Sequence, residues 1–419
     1  MSQRTGSADL PLHGGHVPQW LAQRMARLGR IIVEAISHEF GRDEVLRRLG
    51  DPFWFQSFGA VMGMDWHSSG ITTSVIGALR RGLEPVQNEL GITVCGGRGK
   101  RSRRTPDELL AVGERTGLDG AGLARTSRLV AKVDNNAVQD GYQLYLHGFV
   151  VADDGKWCVV QQGMATDVHY ARRYHWLSES VDSYVEQPHS GLDGVSRGEI
   201  LNLTDARAAS ARHAQVELLQ TEGPTRIVDH LTDITQQQIH LDLPAHHDPQ
   251  PRDIKLKRLH AALAAAADRG PKDFADLIAM PGVGPRTVES LALVAEVIYG
   301  VPSRFDDPAR FSYAHGGKDG FPFPVPLDVY DQTINVLKRA MGDAKLERRE
   351  RLDAIKRLDQ QVLAAERVVD CNADGKSFDE LIARERKRTR TMRPRKVGPT
   401  RSQTKRSKPQ AQDRQLKMF

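Results

Sequence analysis

Cysteine is scarce. The 419 residues hold three, Cys95, Cys158 and Cys371, far apart and without a C-x-x-C pair. That excludes a disulfide framework and a thiolate zinc site, and it sets the expectation of a reducing, cytoplasmic compartment. Long apolar runs are missing too. No uninterrupted stretch approaches the roughly 18–20 residues of a membrane span, and the opening Met-Ser-Gln-Arg-Thr-Gly lacks a charged-then-apolar signal pattern. A soluble, non-secreted protein with no membrane partner is expected. Acids are nearly absent from one segment only. From Arg384 to Phe419 there are fourteen Lys or Arg against Glu385 and Asp413, a balance of +12, which leaves residues 1–383 at −6 within the total of +6. The body is mildly acidic, so a whole-protein basic field is excluded as the means of holding an anionic partner. Such contacts must come from local patches.

What is present suits globular domains, with 39% hydrophobic and 27% charged residues in a chain long enough for two or three cores. Residues 18–40 carry Trp20, Leu21, Met25, Leu28, Ile31, Ile32 and Ile36 at helical spacing, and 72–83 repeats that pattern. Residues 60–65, short, apolar and bounded by glycine, read as a strand. Residues 143–151 and 156–164 are rich in β-branched and aromatic types around Asp153-Asp154-Gly155, a hairpin signal. The prolines and the polar run of 220–253 read as linker. Helices are expected over 254–267, 272–279 and 286–299, and a long one from about 329 to 369. The Lys-, Arg-, Ser- and Pro-rich end cannot support a core and is expected to be disordered. The fold class is therefore an α/β (or α+β) amino-terminal domain over 1–215, with RNase H-like as its candidate form. A linker over 216–253 follows, then an all-α domain over 254–383 and a disordered basic tail over 384–419.

The segment Leu277-Ile278-Ala279-Met280-Pro281-Gly282-Val283-Gly284-Pro285-Arg286-Thr287 sets a Pro-Gly-Val-Gly turn between two apolar helices. It resembles the helix-hairpin-helix of DNA repair proteins. Glycines let the backbone come close to a phosphate, and free N–H groups at the next helix start point at it. Gly282, Val283, Gly284, Arg286 and Thr287 are the expected DNA contacts, and such contacts position a duplex without reading bases. A second basic element is Arg98-Gly99-Lys100-Arg101-Ser102-Arg103-Arg104, read as a flexible loop in which Arg98, Lys100, Arg101, Arg103 and Arg104 form a phosphate clamp. Tyr170-Ala171-Arg172-Arg173-Tyr174-His175-Trp176 interleaves cations with aromatics, either as a single-strand stacking platform or as a core strand.

Candidate chemistry lies in the amino-terminal region. In Gly63-Met64-Asp65-Trp66-His67-Ser68-Ser69-Gly70, Asp65 sits where RNase H-like nucleases hold a metal-binding carboxylate. Asp134 and Asp140 are the best further ligands for Mg²⁺ or Mn²⁺, and His67 or His147 would assist proton transfer. His13-Gly14-Gly15-His16 and His246-His247 lack further spaced ligands, so a turn and an exposed linker are the expected roles. A monofunctional helix-hairpin-helix DNA glycosylase is the alternative, with Asp328 of Pro326-Leu327-Asp328-Val329-Tyr330-Asp331 as its aspartate. Arg286 stands where bifunctional members of that superfamily have a lysine nucleophile, and a guanidinium cannot form a Schiff base. The final residues Gln415, Leu416, Met418 and Phe419 resemble the peptide by which bacterial repair enzymes dock on the sliding clamp.

Arg4-Thr5-Gly6-Ser7-Ala8-Asp9-Leu10-Pro11-Leu12-His13-Gly14-Gly15, the 63–70 segment and Ala314-His315-Gly316-Gly317-Lys318-Asp319-Gly320 resemble the domain-of-unknown-function family 763 over roughly residues 4–340. The resemblance implies a prokaryotic protein and supplies no activity. The functional expectation is a DNA-binding, nucleoid-associated protein acting as a metal-dependent nuclease in repair or recombination. A glycosylase and a non-catalytic DNA-binding or recruitment module are the competitors.

Overall fold

The computed structural model describes residue 17 and residues 19–64, 69–165, 170–194, 196–236, 256–309 and 339. Asp65, His67, Asp328, the two histidine pairs at 13–16 and 246–247, the expected helix of 329–369, the basic tail and its last five residues lie outside the described residues.

Four helices open the described chain: α1 (Gln19–Phe40), α2 (Arg42–Gly50), α3 (Pro52–Val61) and α4 (Gly70–Leu83). The helical spacing of 18–40 and 72–83 is realised in α1 and α4. The strand expected over 60–65 is not formed, because residues 60 and 61 end α3 and a turn follows. Asp51 caps α3 by accepting from the Trp54 N–H at 2.7 Å, with Pro52 in the first turn. Every residue of α3 is buried, so its sequence shows no amphipathic period to mark it as helical.

After α5 (Gln87–Leu90) come β1 (Ile92–Arg98), α6 (Lys100–Thr116), α7 (Gly120–Lys132) and a single π-helical turn at Val133–Ala137. The strands β2 (Val138–Gln139), β3 (Gln143–Ala152), β4 (Trp157–Ala165), β5 (Tyr170–Leu177), β6 (Gly191–Asp193) and β7 (Leu201–Asn202) follow. The β3–β4 hairpin forms as the sequence indicates, with Phe149 opposite Val159. Five strands make one sheet in the order β1-β3-β4-β5-β6, antiparallel at every pairing. β2 and β7 pair separately. The RNase H-like expectation rested on a strand leading into Asp65, and in its place residues 60 and 61 end α3 and residues 62 and 63 form a turn.

Both faces of the sheet are covered. Leu146, Val150, Cys158 and Val160 pack against α1–α4 in one core. Phe149, Val151, Val159, Tyr174 and Trp176 point the other way, into a core shared with α6 to α12. Strands buried on both faces need not alternate apolar with polar, and these do not.

The remaining helices are α8 (Ala209–Thr221), α9 (Gly223–Gln236), α10 (Leu256–Arg269), α11 (Phe274–Ala279) and α12 (Pro285–Tyr299). The linker read over 220–253 is therefore corrected for its first part. α9 buries Ile227, Leu231 and Ile234 at helical spacing, and the Gly223-Pro224 pair that looked like loop punctuation opens the helix. Leu218, Ile227, Leu263, Leu277 and Leu291 share one core with the sheet residue Trp176, so the helical part is joined to the sheet by packing. Among the described residues no helix is long and apolar enough to cross a membrane.

Candidate nucleic-acid interface

The glycine turn sits between α11 and α12. Asp273 caps α11 by accepting from the Asp276 N–H at 2.8 Å. Gly282 then takes φ +90, a left-handed conformation that a β-carbon disfavours, while Gly284 is extended and caps α12. Pro281 and Gly282 are exposed and Val283 is fully buried. The N–H groups of Thr287 and Val288 bond the Gly284 carbonyl. Among the described residues, the N–H groups of Gly282, Gly284 and Arg286 meet no protein acceptor. Arg286 is 62% exposed and pairs at 2.9 Å with Glu289, one turn on. Thr287 is buried.

The inner side of the turn is held by the end of α7, the π-helical turn and β2. Lys132 Nζ donates to the Val283 carbonyl at 2.7 Å, and Asn136 Nδ2 reaches the same oxygen at 3.4 Å. Gln139 Nε2 donates to the Pro285 carbonyl at 2.9 Å. Three side chains from one short segment thus fix two carbonyls of the turn and turn its N–H groups elsewhere.

The basic run is not the loop expected of it. Arg98 ends β1, and Lys100, Arg101, Arg103 and Arg104 occupy the first turns of α6. Lys100, Arg101 and Arg104 are exposed, while Ser102 and Thr105 face inward. No acid stands in the first turn, and the N-cap residue, Gly99, offers no side chain to cap it. Cations at the positive end of a helix dipole are unfavourable by a few tenths of a kcal/mol each. Arg98 lies over the Tyr145 ring at 5.8 Å. Beneath it, Glu108 accepts from Arg80 at 2.6 Å and from the Gly96 N–H at 2.7 Å, tying α6 to α4 and β1.

α6 and α7 form an antiparallel pair. Their crossing is so close that a β-carbon on Gly113 would stand 2.7 Å from the Gly120 backbone. The end of α6 therefore lies beside the start of α7, and the basic start of α6 lies toward the end of α7. His147 of β3 marks that end: it stands opposite Gly97 in the sheet and bonds Ser127 of α7 at 2.8 Å. Five residues on, Lys132 grips the glycine turn. The exposed Arg125 and Arg128 lie on α7 before it. Two cationic or N–H-rich elements, about 180 residues apart in the chain, are thereby brought to one end of the α6–α7 pair.

The candidate catalytic groups among the described residues lie inside. Asp134 is fully buried and accepts from Gln161 Nε2, Trp176 Nε1 (3.1 Å) and His189 Nε2 (2.6 Å). Burial raises its pKa, opposed by His189. Asp140 accepts from Arg172 at 2.9 Å, the Tyr174 hydroxyl at 2.7 Å and the Tyr142 N–H at 3.0 Å. Burial raises its pKa too, with Arg172 opposing. His147 is 3% exposed, and burial pushes its pKa down to about 4. Because Gln161 Nε2 donates to Asp134, its Oε1 accepts from His147 Nδ1–H at 2.6 Å, which leaves His147 Nε2 to accept from Ser127. The ring is neutral near neutral pH and both nitrogens are engaged. Among the described residues, no three His, Cys, Asp or Glu side chains converge as a metal site.

The Tyr170–Leu177 strand resolves to the core alternative: Arg172, Tyr174, His175 and Trp176 are all 0% exposed. Arg172 is held by Asp140 and by Asp307 at 2.7 Å. Lys132, Asn136 and Gln139, which position the turn, escaped sequence reading because nothing local distinguishes them.

The family model described as Protein of unknown function (DUF763) matches residues 6–325. The chain belongs to that family. Its described residues place the glycine turn and the basic run of this family member on a shared helical support. No curated protein and no solved structure matches the chain.

Proposed function

We propose that the protein binds DNA through its phosphate backbone, using the glycine turn of residues 281–287 and the basic start of α6 as two parts of one interface. The observation that carries this is their arrival at the same end of the α6–α7 pair. One part offers outward N–H groups at a helix start, the other exposed cations at another helix start, and both suit phosphate oxygens. Arg125 and Arg128 extend the cationic surface along α7. The turn resembles a helix-hairpin-helix, and contacts of this kind hold a duplex without reading its bases. In this reading Asp134 and Asp140 serve the fold, since every close partner of each is a protein donor and a metal ion would have to displace them. The further catalytic candidates Asp65, His67 and Asp328 lie outside the described residues.

Fluorescence anisotropy on a labelled duplex of arbitrary sequence, titrated with salt, tests the proposal. Binding should weaken linearly on a log–log plot, with a slope of about −0.9 for each phosphate neutralised. Arg101→Gln with Arg104→Gln should reduce that slope by about one per lost contact. Absence of binding at low salt, or a slope indifferent to these substitutions, would overturn it.

A further inference from the structure

Resting on the DNA-binding reading, we infer that Lys132 is the positioning residue of the phosphate contact at the glycine turn, holding the Val283–Gly284 peptide with its N–H outward and its own charge behind it. Two observations and one physical principle carry this. The first is the bond from Lys132 Nζ to the Val283 carbonyl, at 2.7 Å. The C=O and N–H of a planar trans peptide point in opposite directions, and no cis peptide occurs here. An inward Val283 carbonyl therefore obliges the Gly284 N–H to face outward, where it meets no protein acceptor among the described residues.

The second observation is charge. Lys132 is 8% exposed, yet its close partner is a neutral carbonyl. The charged groups on the elements packed against this end are spent elsewhere or stand exposed. Asp134 is held by His189, Glu289 by Arg286, and Asp273 and Asp276 of α11 are exposed, as are Arg128 and Arg286. Burial lowers the Lys132 pKa, and no acid among the described residues opposes it. A buried ammonium without a counter-ion is costly to the fold. A phosphate on the far side of the same peptide supplies the missing negative charge.

A physical principle, polarisation, adds to these. A cation on a peptide oxygen makes the N–H of that peptide a stronger donor. Lys132 thus prepares the contact without touching the ligand.

The test uses the full chain and a labelled duplex. Lys132→Met should weaken binding about tenfold, the loss expected for one charge-assisted contact. Lys132→Gln keeps a donor toward Val283 without the charge and should fall between. Wild-type affinity should decline as pH rises, below the ordinary lysine value of 10.5, because the free protein loses the Lys132 proton there. The folded Met and Gln variants should lack that decline. Should neither variant fold, the wild-type pH profile decides, and no decline before ordinary lysines titrate would overturn the inference. Gly284→Ala and the Arg101/Arg104 pair separate the two levels. If these weaken binding while a folded Lys132→Met binds like wild type, the role of Lys132 alone falls. If they too leave binding unchanged, the DNA-binding reading falls with it.

Discussion

Ser127 on α7 and His147 on β3 are joined by a 2.8 Å hydrogen bond in the buried layer beneath the basic start of α6. The bond fixes α7 against the sheet at the strand position opposite Gly97, one residue before the first cation of the run. It sets where the end of α7 lies, and with it the glycine turn that Lys132 holds.

The state of His147 gives a pH dependence of known sign. Its folded pKa, about 4, lies below the unfolded 6.5. The unfolded chain therefore takes up a proton that the folded chain refuses. This contribution is fully present above 6.5 and is lost as pH falls toward 4, amounting to about 3 kcal/mol at most. Urea melts across that range should show it, and His147→Gln should reduce the dependence, leaving the contribution of like sign from His175, whose pKa burial also lowers. An unchanged curve in the variant would place the titration elsewhere.

Neutralising the basic run should separate binding from stability. Lys100→Gln, Arg101→Gln and Arg104→Gln together should leave the melting temperature unchanged or slightly higher, since each removes about 0.3 kcal/mol of repulsion with the helix dipole. DNA affinity should fall in the same protein. A large loss of stability would mean that these cations serve the fold instead.

Asp140→Asn tests the structural assignment of that acid. With Arg172 and Tyr174 around it, removing the carboxylate charge should cost about 3 kcal/mol, limited because Asp307 still pairs with Arg172. Thermal or urea denaturation measures this. Unaltered stability would return Asp140 to the candidates for metal ligation.

Gly284→Ala tests the backbone contact. Gly284 is not in a left-handed conformation, and a β-carbon there meets nothing within 4 Å. The fold should lose no more than about 1 kcal/mol, from a poorer helix cap. DNA affinity should drop, because the methyl group intrudes where the phosphate approaches. Equal affinity in the folded variant would remove Gly284 from the interface.

Much of the fold was legible where periodicity survives. α1, α4, α10 to α12 and the β3–β4 hairpin all announce themselves by spacing. α3 was not legible, because a helix buried on every side loses its apolar stripe and Gly59 reads as a strand boundary. The start of α6 was misread as loop because four cations at a helix N-terminus oppose the dipole. That violation of a local rule is informative in itself. The glycine turn and the basic run could each be read locally, but their meeting could not. The Lys132–Val283 bond spans 151 residues and the Asn136–Val283 bond 147. No spacing in the chain encodes either one.

Hydrogen–deuterium exchange of the full chain, with and without a duplex of arbitrary sequence, tests the shared interface most directly. Amides of residues 282–284 and 286 and of residues 98–104 should slow together on adding DNA, with α1 and α2 on the opposite sheet face unchanged. Protection of only one of the two segments, or of neither while DNA is bound, would contradict a joint phosphate-binding surface.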